Sequence, residues 1–183
     1  MANKPQILHV ETIAKTRLFR VEALELEFSN GVVVQYERLK TSSYGAVLVV
    51  PMIDNETVLL IREYAAGVER YELALPKGRI EAGEAVLDAA NREMMEEVGH
   101  GAKQLTLLTM LTSAPGYSSQ KTHVVLAEGL YEHRLPGDEP EPIEVVPWKL
   151  SKLAALLQQD DCTEARSIAA LYMVRDLLIK REN

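Results

Sequence analysis

A single cysteine, Cys162, stands in the 183 residues, so no disulfide can form within the chain. Its neighbours Asp160, Asp161, Thr163 and Glu164 form no pattern that marks a thiol nucleophile. No apolar stretch follows Met1-Ala2-Asn3-Lys4-Pro5-Gln6, and no run approaches the roughly 18 apolar residues that span a bilayer. The expectation is therefore a cytoplasmic protein that does not engage a membrane. Basic blocks are missing as well: the net charge is −7, and nothing could neutralise a run of nucleic-acid phosphates, so a nucleic-acid partner is not expected. What is present is ordinary globular composition, 47% hydrophobic and 26% charged, with enough length for one full core. An acidic chain that handles phosphates needs cations to bridge the repulsion, and a small ligand carried by bound metal fits that balance.

Residues 18–39 read as a β hairpin. Leu24, Leu26 and Phe28 alternate with Glu25 and Glu27 ahead of Asn30-Gly31, and Val32, Val34 and Tyr36 alternate after it. A polar stretch from Lys40 to Tyr44 sets a boundary near residue 43, giving an N-terminal β subdomain (1–43) and a main domain (44–183). Two or three strands bury little, so the subdomain must pack on the main domain or on a second copy. The runs 46–50 and 57–62, flanking Asp54-Asn55, read as a second hairpin, and later strands are expected over 105–111 and 122–127. From Ala85 to Val98 the residues Leu87, Ala90, Met94 and Val98 repeat at helical spacing, and Gly99 stands where a left-handed stop is expected. A short helix over 153–158 and a longer one over 164–180, behind a Thr163 cap, close the chain. Strands with segregated helices point to an α+β or layered α/β/α domain.

The stretch Gly78 to His100 carries five glutamates within 17 residues. At about 100° per residue, Glu93, Glu96 and Glu97 cluster beside the apolar stripe Leu87, Ala90, Met94, Val98. Like charges three and four residues apart destabilise a bare helix, and a divalent cation removes the conflict. Arg92, one turn before Glu96, is placed to pair with it. The acidic loop Gly137 to Glu144 is held out of a helix by glycine and proline and projects Glu139, Glu141 and Glu144.

The spacing Gly78, five residues, Glu84, seven residues, then Arg92-Glu93-Met94-Met95-Glu96-Glu97-Val98-Gly99 resembles the Nudix box. Only His100 departs, standing where an aliphatic residue is usual. Four further segments make the chain similar to the ADP-ribose pyrophosphatase branch of that family. They are Asn30-Gly31 with Tyr36-Glu37-Arg38, Ile61-Arg62-Glu63-Tyr64, Tyr71-Glu72-Leu73 leading to Pro76-Lys77-Gly78, and Gly137-Asp138-Glu139-Pro140-Glu141-Pro142.

The resemblance implies a Nudix α/β/α sandwich around a mixed sheet, preceded by an antiparallel N-terminal β hairpin. It implies magnesium, with manganese as a substitute, held by Glu93, Glu96 and Glu97, by the Lys77 carbonyl and by Glu141. Glu139 then matches the general base, with Glu96 the other catalytic carboxylate; the choice of base among Glu139, Glu141 and Glu144 stays open. Arg62, Glu72 and Arg38 are the implied substrate contacts, and Tyr36, Tyr64 and Tyr117 are candidates to stack on a base. The implied activity is hydrolysis of the diphosphate linkage of ADP-containing compounds such as ADP-ribose, NADH or diadenosine polyphosphates, releasing AMP, in a homodimer. The rival readings are another nucleoside diphosphate derivative, meaning a nucleotide sugar or an oxidised triphosphate, and a nucleotide sensor without catalysis.

Overall fold

The computed structural model of the chain describes residues 3–182, which divide into two compact units. One runs up to Gly45 and takes in Thr112–Lys121, and the other holds Ala46–Leu111 and Thr122 onward.

In the first unit β1 (Gln6–Lys15), β2 (Arg20–Glu27) and β3 (Val33–Lys40) form an antiparallel sheet in that order. The β2–β3 hairpin is the expected one, although its turn is longer than Asn-Gly alone. Phe28 N–H bonds to the Val32 carbonyl at 2.9 Å across a three-residue loop, Ser29-Asn30-Gly31, and Val32 N–H reaches the Asn30 side chain at 3.1 Å. The strand β1 was not expected. Leu8 and Ile13 are extra residues where the register slips, so its apolar positions Ile7, Val10 and Ile13 are three apart and period-two alternation is lost. The segment Thr112–Lys121 joins this unit through β3: Leu39 N–H bonds to the Tyr117 carbonyl at 2.7 Å, and Ser119 N–H returns to the Leu39 carbonyl at 3.0 Å.

The second unit has two sheets. Strands β4 (Ala46–Pro51), β7 (Lys77–Arg79), β8 (His100–Leu111) and β9 (Thr122–Glu132) lie in the order β7-β4-β9-β8; β4 and β9 are parallel and the other pairs antiparallel. Strands β5 (Thr57–Ala65), β6 (Arg70–Ala74) and β10 (Glu144–Lys149) form an antiparallel sheet, order β10-β5-β6. Every residue of β4 is buried, as a continuous apolar run requires when both faces are covered. Val47 and Val49 pack with Ala90 and Met94 of α1 (Val86–Glu97). Leu48 and Val50 face the other way, into a core with Leu156 of α2 (Leu153–Leu156) and Leu171 and Val174 of α3 (Ala165–Glu182). Helices on both faces of a mixed sheet give the α/β/α sandwich that the resemblance implies. Among the described residues no helix is long and apolar enough to cross a membrane.

Three local expectations are corrected. The runs 46–50 and 57–62 do not form a hairpin, since β4 and β5 lie in different sheets joined, among the described residues, by a single bridge between Met52 and Val58. Leu87 is 37% exposed, but Ala90, Met94 and Val98 of the expected stripe are buried against the sheet, and Ala89, Glu93 and Glu97 are buried with them, so the glutamates share the buried face of α1 as well as flanking the stripe. The cap of α3 is Glu164 and not Thr163. The Glu164 carboxylate accepts Ser167 N–H at 2.8 Å, placing negative charge at the helix N-terminus, while the Thr163 hydroxyl turns to Glu72.

Candidate active site

Strand β7 and helix α1 bring the box together. Gly78 lies in β7 opposite Val47, and a Cβ built on it would overlap the Glu93 carboxylate. Only glycine leaves that carboxylate its place. One residue earlier, Lys77 N–H donates to Glu97 Oε2 at 2.9 Å, while the Lys77 ammonium pairs with Glu63 at 3.0 Å. The turn after β7 is closed by Glu84, whose carboxylate accepts Glu81 N–H at 3.0 Å.

Arg92 organises the acidic cluster with all five of its N–H groups. Nε and Nη2 grip Glu84 at 2.8 and 3.0 Å, Nη1 reaches Glu93 at 2.8 Å and Glu96 at 3.0 Å, and Nη2 also meets the Arg79 carbonyl at 3.0 Å. The expected Arg92–Glu96 pair is thus part of a larger network. Its electrostatics separate the carboxylates. The Arg92 hydrogen bond holds Glu84 below the usual carboxylate range, whereas burial pushes Glu93 up even with Arg92 beside it. Glu97 is the extreme case: at 4% exposure, burial pushes its pKa up to about 8, against the pull of the Lys77 charge and N–H.

The acidic loop meets the same region. Glu139 and Glu141 line a cavity of about 360 Å³ together with Glu96 and Arg134, and a smaller one of about 100 Å³ together with Arg62, Glu63 and Tyr64. Glu141 accepts a hydrogen bond from the Tyr71 hydroxyl at 2.6 Å, and the Tyr71 ring meets Tyr64 edge-on at 5.5 Å. Glu144 is the first residue of β10, opposite Arg62 in register, and its carboxylate pairs with Arg62 at 2.9 Å. Arg62 also pairs with Asp161.

Other expected residues lie elsewhere. The Glu72 carboxylate is taken up by Arg70 and by Thr163, at 2.6 and 3.0 Å. Arg38 lies in the first unit, gripping Glu22 at 3.0 and 2.8 Å; Tyr36, half exposed beside Phe28, and Tyr117, 76% exposed, belong to that unit too. Residues that sequence reasoning did not place are Glu63, Glu84 and Arg134. Glu84 occupies a fixed position of the box, which was signal enough. Glu63 stands in the Ile61-Arg62-Glu63-Tyr64 segment without a role of its own, and Arg134 carries no signal.

The donor set suits a hard divalent cation, being carboxylate oxygens on a buried helix face that a single guanidinium only partly neutralises. Among the described residues no three acidic, histidine or cysteine side chains converge as a ready-made cage. Glu93 and Glu96 each give one oxygen to Arg92 and Glu97 gives one to the Lys77 N–H, which leaves the second oxygen of each carboxylate to a cation.

Comparison with known proteins agrees with this geometry. The NUDIX domain profile matches residues 44–172, and that of the NudE-type Nudix hydrolase N-terminal domain matches residues 5–38. The chain is 51% identical over 175 residues to the ADP compounds hydrolase NudE of Escherichia coli K12, covering 96% of this chain and 94% of that protein. It is 31% identical to an ADP-ribose pyrophosphatase of Bacillus subtilis over 92% of this chain and 94% of that protein. A crystal structure of an ADP compounds hydrolase superposes with a TM-score of 0.91 at 50% identity, covering 99% of this chain and 97% of that one. With its box folded on β7 and α1, the chain belongs to the Nudix hydrolase family and carries the NudE-type N-terminal domain ahead of its NUDIX domain.

Proposed function

We propose that this protein hydrolyses the diphosphate linkage of ADP-containing compounds such as ADP-ribose, NADH or diadenosine polyphosphates, releasing AMP and a second phosphorylated fragment. The observation that carries the reading is Glu97, a carboxylate buried at 4% exposure on the box helix and short of positive charge. A carboxyl this deeply buried is costly to ionise unaided and useful in a site that receives cations with its substrate. The names of the relatives supply the substrate class.

Magnesium, with manganese as a substitute, is assigned to Glu93, Glu96 and Glu97, with the Lys77 carbonyl and Glu141 as further ligands. When bound, such ions supply charge neutralisation of the diphosphate and Lewis-acid activation of water. Gly78 gives Glu93 its position, Arg92 orients Glu93 and Glu96, and the Lys77 N–H orients Glu97. Glu139, which shares a cavity with Glu96, accepts the proton of the attacking water. Glu144 lines neither of the cavities that Glu139 lines, which favours Glu139 as the base. Arg62 is assigned to a substrate phosphate, exchanging its carboxylate partners for the ligand, and Arg38 and Glu72 to the nucleotide. Residues 1–43 are assigned to dimerisation and to completing the nucleotide pocket, residues 44–183 to catalysis, and the protein to the cytoplasm.

The test is AMP release from ADP-ribose, NADH and diadenosine triphosphate, with magnesium or with chelator, by wild type and Glu97→Gln. Magnesium-dependent AMP formation that the variant loses is expected. Tight nucleotide binding without turnover of any of the three compounds would replace the proposal with a sensor.

A further inference from the structure

The segment that leaves β9 and enters the acidic loop is fastened to the carboxyl end of α1 at three successive residues. His133 N–H donates to the Gly99 carbonyl at 3.0 Å, Arg134 Nη1 to the Glu96 carbonyl at 3.2 Å and Leu135 N–H to the Met95 carbonyl at 3.2 Å. Carbonyls in the last turn of a helix have no partner within the helix, and a cation there also meets the negative end of its dipole. Gly99, at φ 78°, makes the room. A Cβ on it would stand 2.7 Å from Arg134 Nη2 and 2.9 Å from Cζ and Nε. The box glycine thus serves twice, as the left-handed stop of α1 and as the bed for this guanidinium.

Beyond these bonds the loop has little hold on itself. Pro136, Pro140 and Pro142 have no N–H to give, and among the described residues no backbone–backbone hydrogen bond within turns and loops uses residues 136–143. Its far end is held by the Tyr71–Glu141 hydrogen bond and by the start of β10. Arg134 is also the one cationic side chain lining the cavity that Glu96, Glu139 and Glu141 share.

We infer that Arg134 is a positioning residue: clamped between the Glu96 carbonyl and Gly99, it fixes the near end of loop 136–143 and so keeps Glu139 in the cavity it shares with Glu96. This rests on the role proposed for Glu139. Replacing Arg134 leaves the glutamates of α1 untouched and frees the loop that must come to them. Misplacing a reacting group by about an ångström costs on the order of a hundredfold in rate.

Two measurements on Arg134→Ala test it, with Arg181→Ala, which breaks a surface pair with Glu128, as the control. The first is amide hydrogen exchange of the metal-free protein. Exchange is expected to quicken at the His133 and Leu135 amides, whose bonds to the end of α1 the Arg134 clamp supports, and to stay at the wild-type rate in β9. The second is a double-mutant cycle on turnover of ADP-ribose. Arg134→Ala alone is expected to lower kcat by about tenfold or more with little change in KM, and to add almost nothing in a Glu139→Gln background. Exchange of the His133 and Leu135 amides at the wild-type rate overturns the inference. So does a rise in KM with a loss additive to that of Glu139→Gln, which would make Arg134 a direct ligand of a substrate phosphate. Full activity of Glu139→Gln would remove Glu139 from the mechanism, and the exchange measurement would still decide whether Arg134 holds the loop.

Discussion

At the scale of single residues, the metal-holding role proposed for Glu97 has a consequence for stability. The folded protein holds its carboxyl proton up to a pKa of about 8, whereas the unfolded chain releases it near the ordinary 4.5. Between those values the folded state binds more protons than the unfolded one, so stability falls as pH rises through the window and levels off above it. Glu93, also pushed up by burial, adds to the same trend. Chelator-treated protein is therefore expected to lose stability from about pH 5 to pH 8, by up to about 1.4 kcal/mol per pH unit for one such group. Glu97→Gln keeps an oxygen for the Lys77 N–H and needs no proton. It is expected to flatten the slope and to melt higher than wild type above about pH 8 while losing turnover, which is the usual exchange of stability for activity at a functional site. Thermal melts of both proteins across that range decide the matter: an unchanged slope in the variant would place the proton elsewhere.

Among the elements, β7 and α1 meet so closely that one methyl group tests their geometry. Gly78→Ala places a Cβ where the Glu93 carboxylate lies, with backbone on one side and the Arg92 network on the other. Turnover is expected to fall about a hundredfold while stability changes by no more than about 2 kcal/mol. Gly67→Ala, whose Cβ meets nothing within 4 Å, is expected to change neither. Equal turnover of Gly78→Ala and wild type would show that Glu93 has another place to stand. The box spacing made the helix, its stop at Gly99 and the Arg92–Glu96 pair legible in advance. Of its buried face, Ala90, Met94 and Val98 were legible; the burial of Glu93 and Glu97 and the exposure of Leu87 were not, because a hydrophobicity pattern puts Leu87 inside and leaves the glutamates at the flank. Strand β1 escaped for a different reason, since its two bulges break the alternation by which strands are recognised. Arg134 left no trace at all. Its partners are backbone atoms of a helix 38 residues earlier in the chain, and hydrogen bonds to carbonyls impose no pattern on the sequence.

For the whole molecule, the N-terminal sheet presents an unresolved apolar surface. Across its strands Ile7, Leu26 and Val34 stand in one row and Val10, Leu24 and Tyr36 in the next, on one face. Of these six only Leu24 is buried; Ile7, Val10, Val34 and Tyr36 are 37–46% exposed, and β1 is exposed from end to end. A sheet of three strands buries too little to leave such a face in water, and β1 offers an open edge besides. The proposed homodimer covers this face with its own copy. Val10→Glu places a charge in the middle of the patch without touching the glutamate cluster of α1. Sedimentation at micromolar concentration is expected to show a dimer for wild type and a monomer for the variant, with Arg92, Glu93 and Glu97 unaltered. If the first unit also completes the nucleotide pocket, the monomer retains its magnesium affinity and loses most of its turnover of ADP-ribose. A variant that is monomeric yet fully active would confine the N-terminal sheet to assembly, and a monomeric wild type would leave its apolar face in need of a different partner.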